Sequence, residues 1–208
     1  MGIVLTIANN KGGVGKTLVT LAVASTITWL QKNDASKLPQ SMRKLPILVV
    51  DTDPQANTTE ALGIDPVEVP VNILELYEDP SVIETTSGLS LLQASPKHKN
   101  IVVIPSSIKL ESISNTLPSQ IDGRTRLKDA IDRVRDNYSL IIIDTPPSLG
   151  IFTQNAVVAA DNILIPLTLT KHALLGVSNM LTFLVTAKKS QNPGLNVLGL
   201  LVNADNKR

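Results

Sequence analysis

A chain of 208 residues with 43% hydrophobic residues is long enough for one well-packed domain, and its net charge of +1 leaves no dominant acidic or basic tail. It contains no cysteine, which excludes disulfides, thiolate zinc sites and cysteine-ligated iron–sulfur clusters. Aromatic residues are only 2%, too few for a base-stacking surface for single-stranded nucleic acid.

The chain opens on the apolar run Ile3–Ala8, which reads as a first strand and leaves no room for a signal peptide. It passes into Asn9-Asn10-Lys11-Gly12-Gly13-Val14-Gly15-Lys16-Thr17 and then into helix-compatible residues up to Leu30. Strand, glycine loop, Gly-Lys-Thr and helix, in that order, make a phosphate cradle. Glycines let backbone N–H groups curl around phosphate oxygens that a Cβ would obstruct. Lys16 is placed to reach the β- and γ-phosphates, and the Thr17 hydroxyl to ligate Mg²⁺. Lys11 is a second loop lysine that the ordinary pattern does not require. That pattern asks for glycine at position 10, where this chain has Asn10, a residue that tolerates left-handed backbone.

A helix is expected over 17–31. The polar segment Lys32–Leu45 then reads as a solvated loop or, alternatively, as a basic contact surface. The strand Ile47–Val50 leads into Asp51-Thr52-Asp53-Pro54-Gln55, which puts two aspartates at the carboxyl end of a strand. In extended backbone residues i and i+2 share a face, although Pro54 turns the chain there. Asp51 has a second reading, as a cap of the next helix. Helical patterns follow at 56–62 and 72–77, joined by the Pro-punctuated connection Gly63–Pro70. Leu89–Gln93 is expected to be a short strand near the sheet edge, and Ile101–Ile104 a further strand. Helices are expected over 107–116 and 124–136.

Leu140–Ile143 ends in Asp144-Thr145-Pro146-Pro147, the form of a Walker B element, in which Asp144 holds Mg²⁺ through water. The two prolines stop the strand and fix the loop 145–150. A helix at 151–160, a strand at Ile163–Pro166, a helix at 172–190 and a strand at Val197–Val202 complete the pattern. Continuous rather than alternating apolar strands, each followed by a helix, predict an α/β fold: a doubly wound, mostly parallel sheet flanked by helices. Its site lies at the carboxyl ends of the strands. No apolar run approaches a membrane span, so a single cytoplasmic domain over 1–208 is expected, without membrane contact.

Lys-Gly-Gly-x-Gly-Lys-Thr, together with Asp51-x-Asp53-Pro-Gln and Asp144-Thr-Pro-Pro, resembles the deviant Walker A group of P-loop ATPases, the ParA/MinD family. It is most similar to the short-form, Soj-like partition ATPases. The missing cysteines set aside the redox members that share this loop. The resemblance implies a P-loop NTPase fold, ATP and Mg²⁺, slow hydrolysis, and a nucleotide-sandwich dimer in which each Lys11 reaches the nucleotide of the other subunit. By resemblance Asp53 positions the attacking water, Asp51 belongs to the metal shell with Thr17 and Asp144, and the nucleotide is cradled by Lys11, Gly12, Gly13, Val14, Gly15, Lys16 and Thr17. Asn203 and Asp205 match positions near the adenine; Asn203 reads equally as a turn residue, and Lys207 and Arg208 compete for the family's basic position.

The resemblance further implies plasmid or chromosome partition, with a ParB-type centromere-binding partner and nonspecific, nucleoid-associated DNA binding. ParA-type proteins usually extend by another helix or two where this chain stops, which leaves a shortened chain or a spare C-terminal layer as alternatives. Basic residues near that end often carry DNA binding, so the DNA-binding surface is the least supported part of the expectation. No helix-turn-helix precedes the loop and no C-terminal amphipathic helix follows, which argues against operator binding and against MinD-type membrane anchoring. Three other readings remain open: a positioning ATPase acting on a protein assembly, a small-molecule P-loop ligase, and a nucleotide-binding module that signals without hydrolysis. Lys11 argues against the ligase and Asp53 against the non-hydrolysing module.

Overall fold

β-branched residues dominate the strands because they pack well on a pleated surface covered from both sides. The computed structural model describes residues 2–169 and 173–203. Its elements, in chain order, are β1 (Ile3–Ile7), α1 (Lys16–Asn33), β2 (Ile47–Asp51), α2 (Asn57–Ala61), α3 (Ile73–Glu78), α4 (Thr86–Leu91), β3 (Gln93–Ala94), β4 (Ile101–Ile104), α5 (Arg126–Val134), β5 (Leu140–Asp144), α6 (Ile151–Ala159), β6 (Asn162–Leu167), α7 (Ala173–Ser190) and β7 (Asn196–Val202).

The strands form one sheet in the order β3-β4-β2-β5-β1-β6-β7, parallel except for the β3–β4 pair. The doubly wound α/β expectation therefore holds. Neighbouring residues of a strand serve opposite cores. Leu48, Val50, Ile141 and Ile143 pack with Leu76, Leu127, Ile131 and Phe152 from α3, α5 and α6. Ile47, Val49, Leu140 and Ile142 pack on the other face with Val19 and Ala24 of α1. All four residues Ile47–Val50 are 0% exposed, each contributing about 1.5–3 kcal/mol of burial. A third cluster joins Ile163 and Ile165 of β6 to Met180, Leu184 and Ala187 of α7.

Three expectations are corrected. Residues 86–91 form α4, and the strand near the edge is only Gln93–Ala94. The Thr85 hydroxyl accepts from the Gly88 N–H and caps that helix, a local signal stronger than the apolar run. The segment 107–116 is a tighter 3-10 helix over Ile108–Ile113. The polar segment after α1 contains two short 3-10 turns, Ala35–Lys37 and Gln40–Met42. The edge strand β7 also departs from the doubly covered pattern: Leu198 is 56% and Leu200 50% exposed. Among the described residues no helix is long and apolar enough to cross a membrane.

Candidate active site

The central strands β2, β5 and β1 all end at the same edge, and their register fixes the site. Asp51 faces Asp144, which in turn faces Ile7, so the two aspartates and the start of the glycine loop are neighbours. The loop depends on left-handed glycines, Gly13 at φ 73° and Gly15 at φ 89°. A Cβ on Gly15 would also run into the Asn203 amide. From Gly15 the chain enters α1 directly, aiming the helix's first N–H groups into the loop.

Lys16 and Thr17 are the first residues of α1. The Lys16 ammonium donates to the Lys11 carbonyl at 3.4 Å, bridging the loop. Burial pushes its pKa below the ordinary lysine value, while the carboxylates of Asp144 and Asp53 oppose that shift. The Thr17 hydroxyl donates to Asp144 Oδ2 at 2.8 Å, and Thr58 donates to the same oxygen at 2.6 Å. Asp144 is 2% exposed and its pKa is raised, chiefly by burial, against the two threonine bonds and Lys16. Its other oxygen, Oδ1, has no hydrogen-bond partner among the described residues. A buried carboxylate oxygen left unpaired beside a threonine hydroxyl fits a hydrated divalent cation. Mg²⁺ takes one or two protein groups and completes its shell with water and phosphate oxygens.

Asp51 is completely buried. Its Oδ2 accepts from the Thr59 N–H at 2.8 Å and hydroxyl at 2.7 Å, and its Oδ1 from the Asp53 N–H at 3.1 Å. It therefore caps α2 from a distance, in place of Ala56, the left-handed residue (φ 54°) that precedes the helix. Burial and the charge of Asp144 push its carboxyl up to about 7 despite these bonds. Asp53, by contrast, is half-exposed and turns into the phosphate cleft, its Oδ1 accepting from the Gln55 N–H at 3.0 Å. That cleft, about 450 Å³, is lined by Gly12, Gly13, Gly15, Lys16, Thr17, Asp53, Gln55, Asn57 and Pro147. Lys11 is not among those residues. Its neighbours Asn9, Val14, Leu167, Thr168 and Gly176 line a small gap with it.

Thus the structure brings together Gly12, Gly13, Gly15, Lys16, Thr17, Asp53 and Asp144. Val14 is buried beneath the loop, and Asp51 lies under the site rather than in the cleft. Asn203 donates from its side chain to the Val14 carbonyl at 3.1 Å and from its backbone to Leu167 at 2.7 Å, tying the end of β7 to the loop. Asp205, Lys207 and Arg208 lie outside the described residues.

Several positioning residues escape a reading by motif. Asn9 donates to the Pro166 carbonyl at 2.7 Å and accepts from the Lys11 N–H at 3.0 Å, latching the loop to β6. Thr52 holds the Asp144 carbonyl and Thr145 the Ile7 carbonyl. Thr58 and Thr59 reach the two aspartates. The signal available for these last two is a pair of hydroxyls opening a helix directly after the paired aspartates.

A glycine loop between the first strand and helix, with an aspartate from the adjacent strand end hydrogen-bonded to the loop's threonine, defines a P-loop nucleoside triphosphatase. Similarity to known proteins narrows the class. The family described as AAA domain matches residues 2–197. The sporulation initiation inhibitor protein Soj of Bacillus subtilis is 34% identical over 97% of this chain and 72% of its own length. The chromosome partitioning protein ParA of Myxococcus xanthus is 32% identical over 100% of this chain and 67% of its own. In structure, the cobyrinic acid a,c-diamide synthase of Mycobacterium smegmatis, solved with an ATP analogue and magnesium, superposes with a TM-score of 0.83 at 27% identity, over 100% of this chain and 77% of its own. The chain belongs to the ParA/Soj family of P-loop ATPases.

Proposed function

We propose that this protein binds ATP with Mg²⁺, pairs with a second copy around the nucleotide, and hydrolyses it slowly to drive the partition of plasmid or chromosomal DNA. The ATP and Mg²⁺ assignments rest on the glycine cradle, on Lys16, and on the Thr17–Asp144 pair with its unpaired Oδ1. Mg²⁺, when bound, supplies charge neutralisation on the β- and γ-phosphate oxygens. The backbone N–H groups of Gly13 to Thr17 hold the phosphates, Lys16 compensates their charge, and Asp53 orients the attacking water toward the γ-phosphorus. Asp51 acts on the metal environment from below, by holding α2 and so placing Thr58 on Asp144.

The observation that carries the dimer is the position of Lys11. It lies off the phosphate cleft of its own subunit, lining a small gap with Asn9, Val14, Leu167, Thr168 and Gly176. A lysine so placed suits the phosphates of a facing subunit, where a cation supplied in trans is worth roughly 10³–10⁵ in rate. The partition role, a ParB-type stimulating partner, nonspecific DNA binding and association with the nucleoid extend this reading from the Soj and ParA relatives. A contact of Asn203 with the adenine is compatible with its place beside Val14 and Gly15.

A second reading, a small-molecule ligase, is favoured by one observation, the structural likeness to a diamide synthase. Co-sedimentation with DNA in ATP, in ADP and without nucleotide separates the two. ATP-specific DNA binding supports partition, and its absence together with ATP-dependent amidation of a carboxylate supports the ligase.

A further inference from the structure

Around the last turns of α1, a helix about 27 Å long at 1.5 Å per residue that starts at the phosphate cleft, lies a second cleft that the ATPase site does not use. It has a volume of about 900 Å³ and is walled by the last turns of α1, by the turns after it and by the loop before β4. Lys32, Arg43, Lys44, Lys97 and Lys99 line it with His98, and no aspartate or glutamate does so among the described residues. Five of the chain's nineteen lysines and arginines therefore share one concavity in a protein whose net charge is only +1.

The walls are held together by hydrogen bonds. Gln31 donates to the carbonyls of Met42 at 2.7 Å and Leu45 at 3.0 Å, and accepts from Asn100 at 2.5 Å. Arg43 donates to the Leu38 carbonyl at 2.9 Å and Lys97 to the Ala61 carbonyl at 2.8 Å. Lys32, Lys44 and Lys99 remain exposed. Trp29, the single tryptophan of the chain, stands 59% exposed among the lining residues.

We infer that this cleft is a binding surface for the phosphodiester backbone of duplex DNA. The inference rests on the partition reading and sets the DNA on this surface rather than near the C-terminal end. Cations on both walls of a groove, interleaved with hydroxyl and amide donors, match the way phosphates are held without regard to sequence. A bilayer presents a flat face, whereas these cations line a concave surface. Its distance from the phosphates frees the surface from the catalytic residues, and α1 joins the two directly. The indole at the mouth suits contact with a sugar or a groove edge.

Because Trp29 is unique, its emission reports the cleft directly. The test titrates the full chain, with Mg²⁺ and ATP, with a random-sequence duplex, and in parallel arms with phosphatidylglycerol vesicles and polyglutamate. Trp29 emission and the anisotropy of a labelled duplex are both followed. The wild-type protein is expected to bind the duplex with a change in Trp29 emission. K32E/K44E/K99E is expected to bind at least tenfold more weakly, with a log K against log salt slope shallower by about 3 and basal ATP turnover unchanged. The neutral variant K32Q/K44Q/K99Q should fall between the two, which separates charge from misfolding. Binding of the charge-reversed variant within twofold of wild type would overturn the inference while leaving the partition reading standing. An emission change with vesicles or polyglutamate but not with duplex would overturn it in favour of those partners. Failure of the wild type to bind duplex in any nucleotide state, with ATP-dependent dimers intact, would overturn both the surface and the DNA part of the reading.

Discussion

Thr17 and Asp144 are 127 residues apart in sequence, yet the hydroxyl of one lies 2.8 Å from the carboxylate of the other. The contact follows from parallel pairing: β1 and β5 end level, so the helix leaving β1 begins beside the residue that ends β5. Thr58 donates to the same oxygen, and Oδ1 has no hydrogen-bond partner among the described residues, which suits the proposed Mg²⁺ shell.

Thr58→Val should leave that buried oxygen short of a donor. Loss of one partner of a charged, buried acceptor costs about 1–3 kcal/mol, and urea unfolding of the nucleotide-free protein is expected to show a loss of that size. ATP turnover should fall at limiting Mg²⁺ and partly recover as Mg²⁺ is raised, because the residue acts by positioning Asp144. Wild-type stability in this variant would remove Thr58 from the network.

Gly15→Ala places a Cβ on a backbone at φ 89° and against the Asn203 amide. Strain and clash act together, so a stability loss above about 1 kcal/mol and at least a tenfold loss of affinity for a fluorescent ATP analogue are expected. Equal affinity in the variant would mean that the loop tolerates a side chain there.

Asp51 titrates in a direction that can be checked. Its folded carboxyl is raised to about 7 from 3.8, so folding takes up a proton between those values. Its contribution to stability is therefore full below pH 3.8 and is lost as pH rises through about 7. In EDTA and without nucleotide, Asp51→Asn should gain on the wild type by about 2–3 kcal/mol between pH 5 and pH 8, at roughly 1.4 kcal/mol per unit. The slope is the readout, since the amide shifts both ends by a constant amount. A pH-independent difference between the two proteins would mean that Asp51 is ionised throughout.

Among the described residues β7 is an edge strand with exposed apolar residues, and such edges template association. The register of β7 on β6 slips at Leu198, which makes this residue a bulge in the pairing. Leu198→Lys should therefore leave folding intact while raising the protein concentration at which light scattering begins. An unchanged threshold would show that the edge is already protected.

Much of this site was legible in the chain because its parts are local. The glycine loop, Gly-Lys-Thr and the aspartates that end β2 and β5 are each adjacent to the strand that positions them. What escaped is what lies far apart in sequence: Thr58 on Asp144, Asn9 on Pro166 and Asn203 on Val14 span 86, 157 and 189 residues. Asp51 carried two readings, and its bonds to Thr59 show the helix cap, which only tertiary placement reveals. The apolar residues around Leu89–Gln93 read as a strand because a short apolar run has no decisive period, whereas the Thr85 cap starts a helix there. Likewise β7 reads as a buried strand by composition, although most of its residues face solvent.

The proposed completion of the ATP site by a second copy of the chain makes dimerisation depend on ATP and on Lys11. Sedimentation velocity of Asp53→Ala with Mg²⁺ and ATP tests it most directly, because that change should stop turnover while preserving the bound state. The expected masses are two chains in ATP and one chain in ADP, with the two-chain species lost when Lys11→Ala is added. A single-chain mass in ATP, or a dimer indifferent to nucleotide and to Lys11, would contradict it.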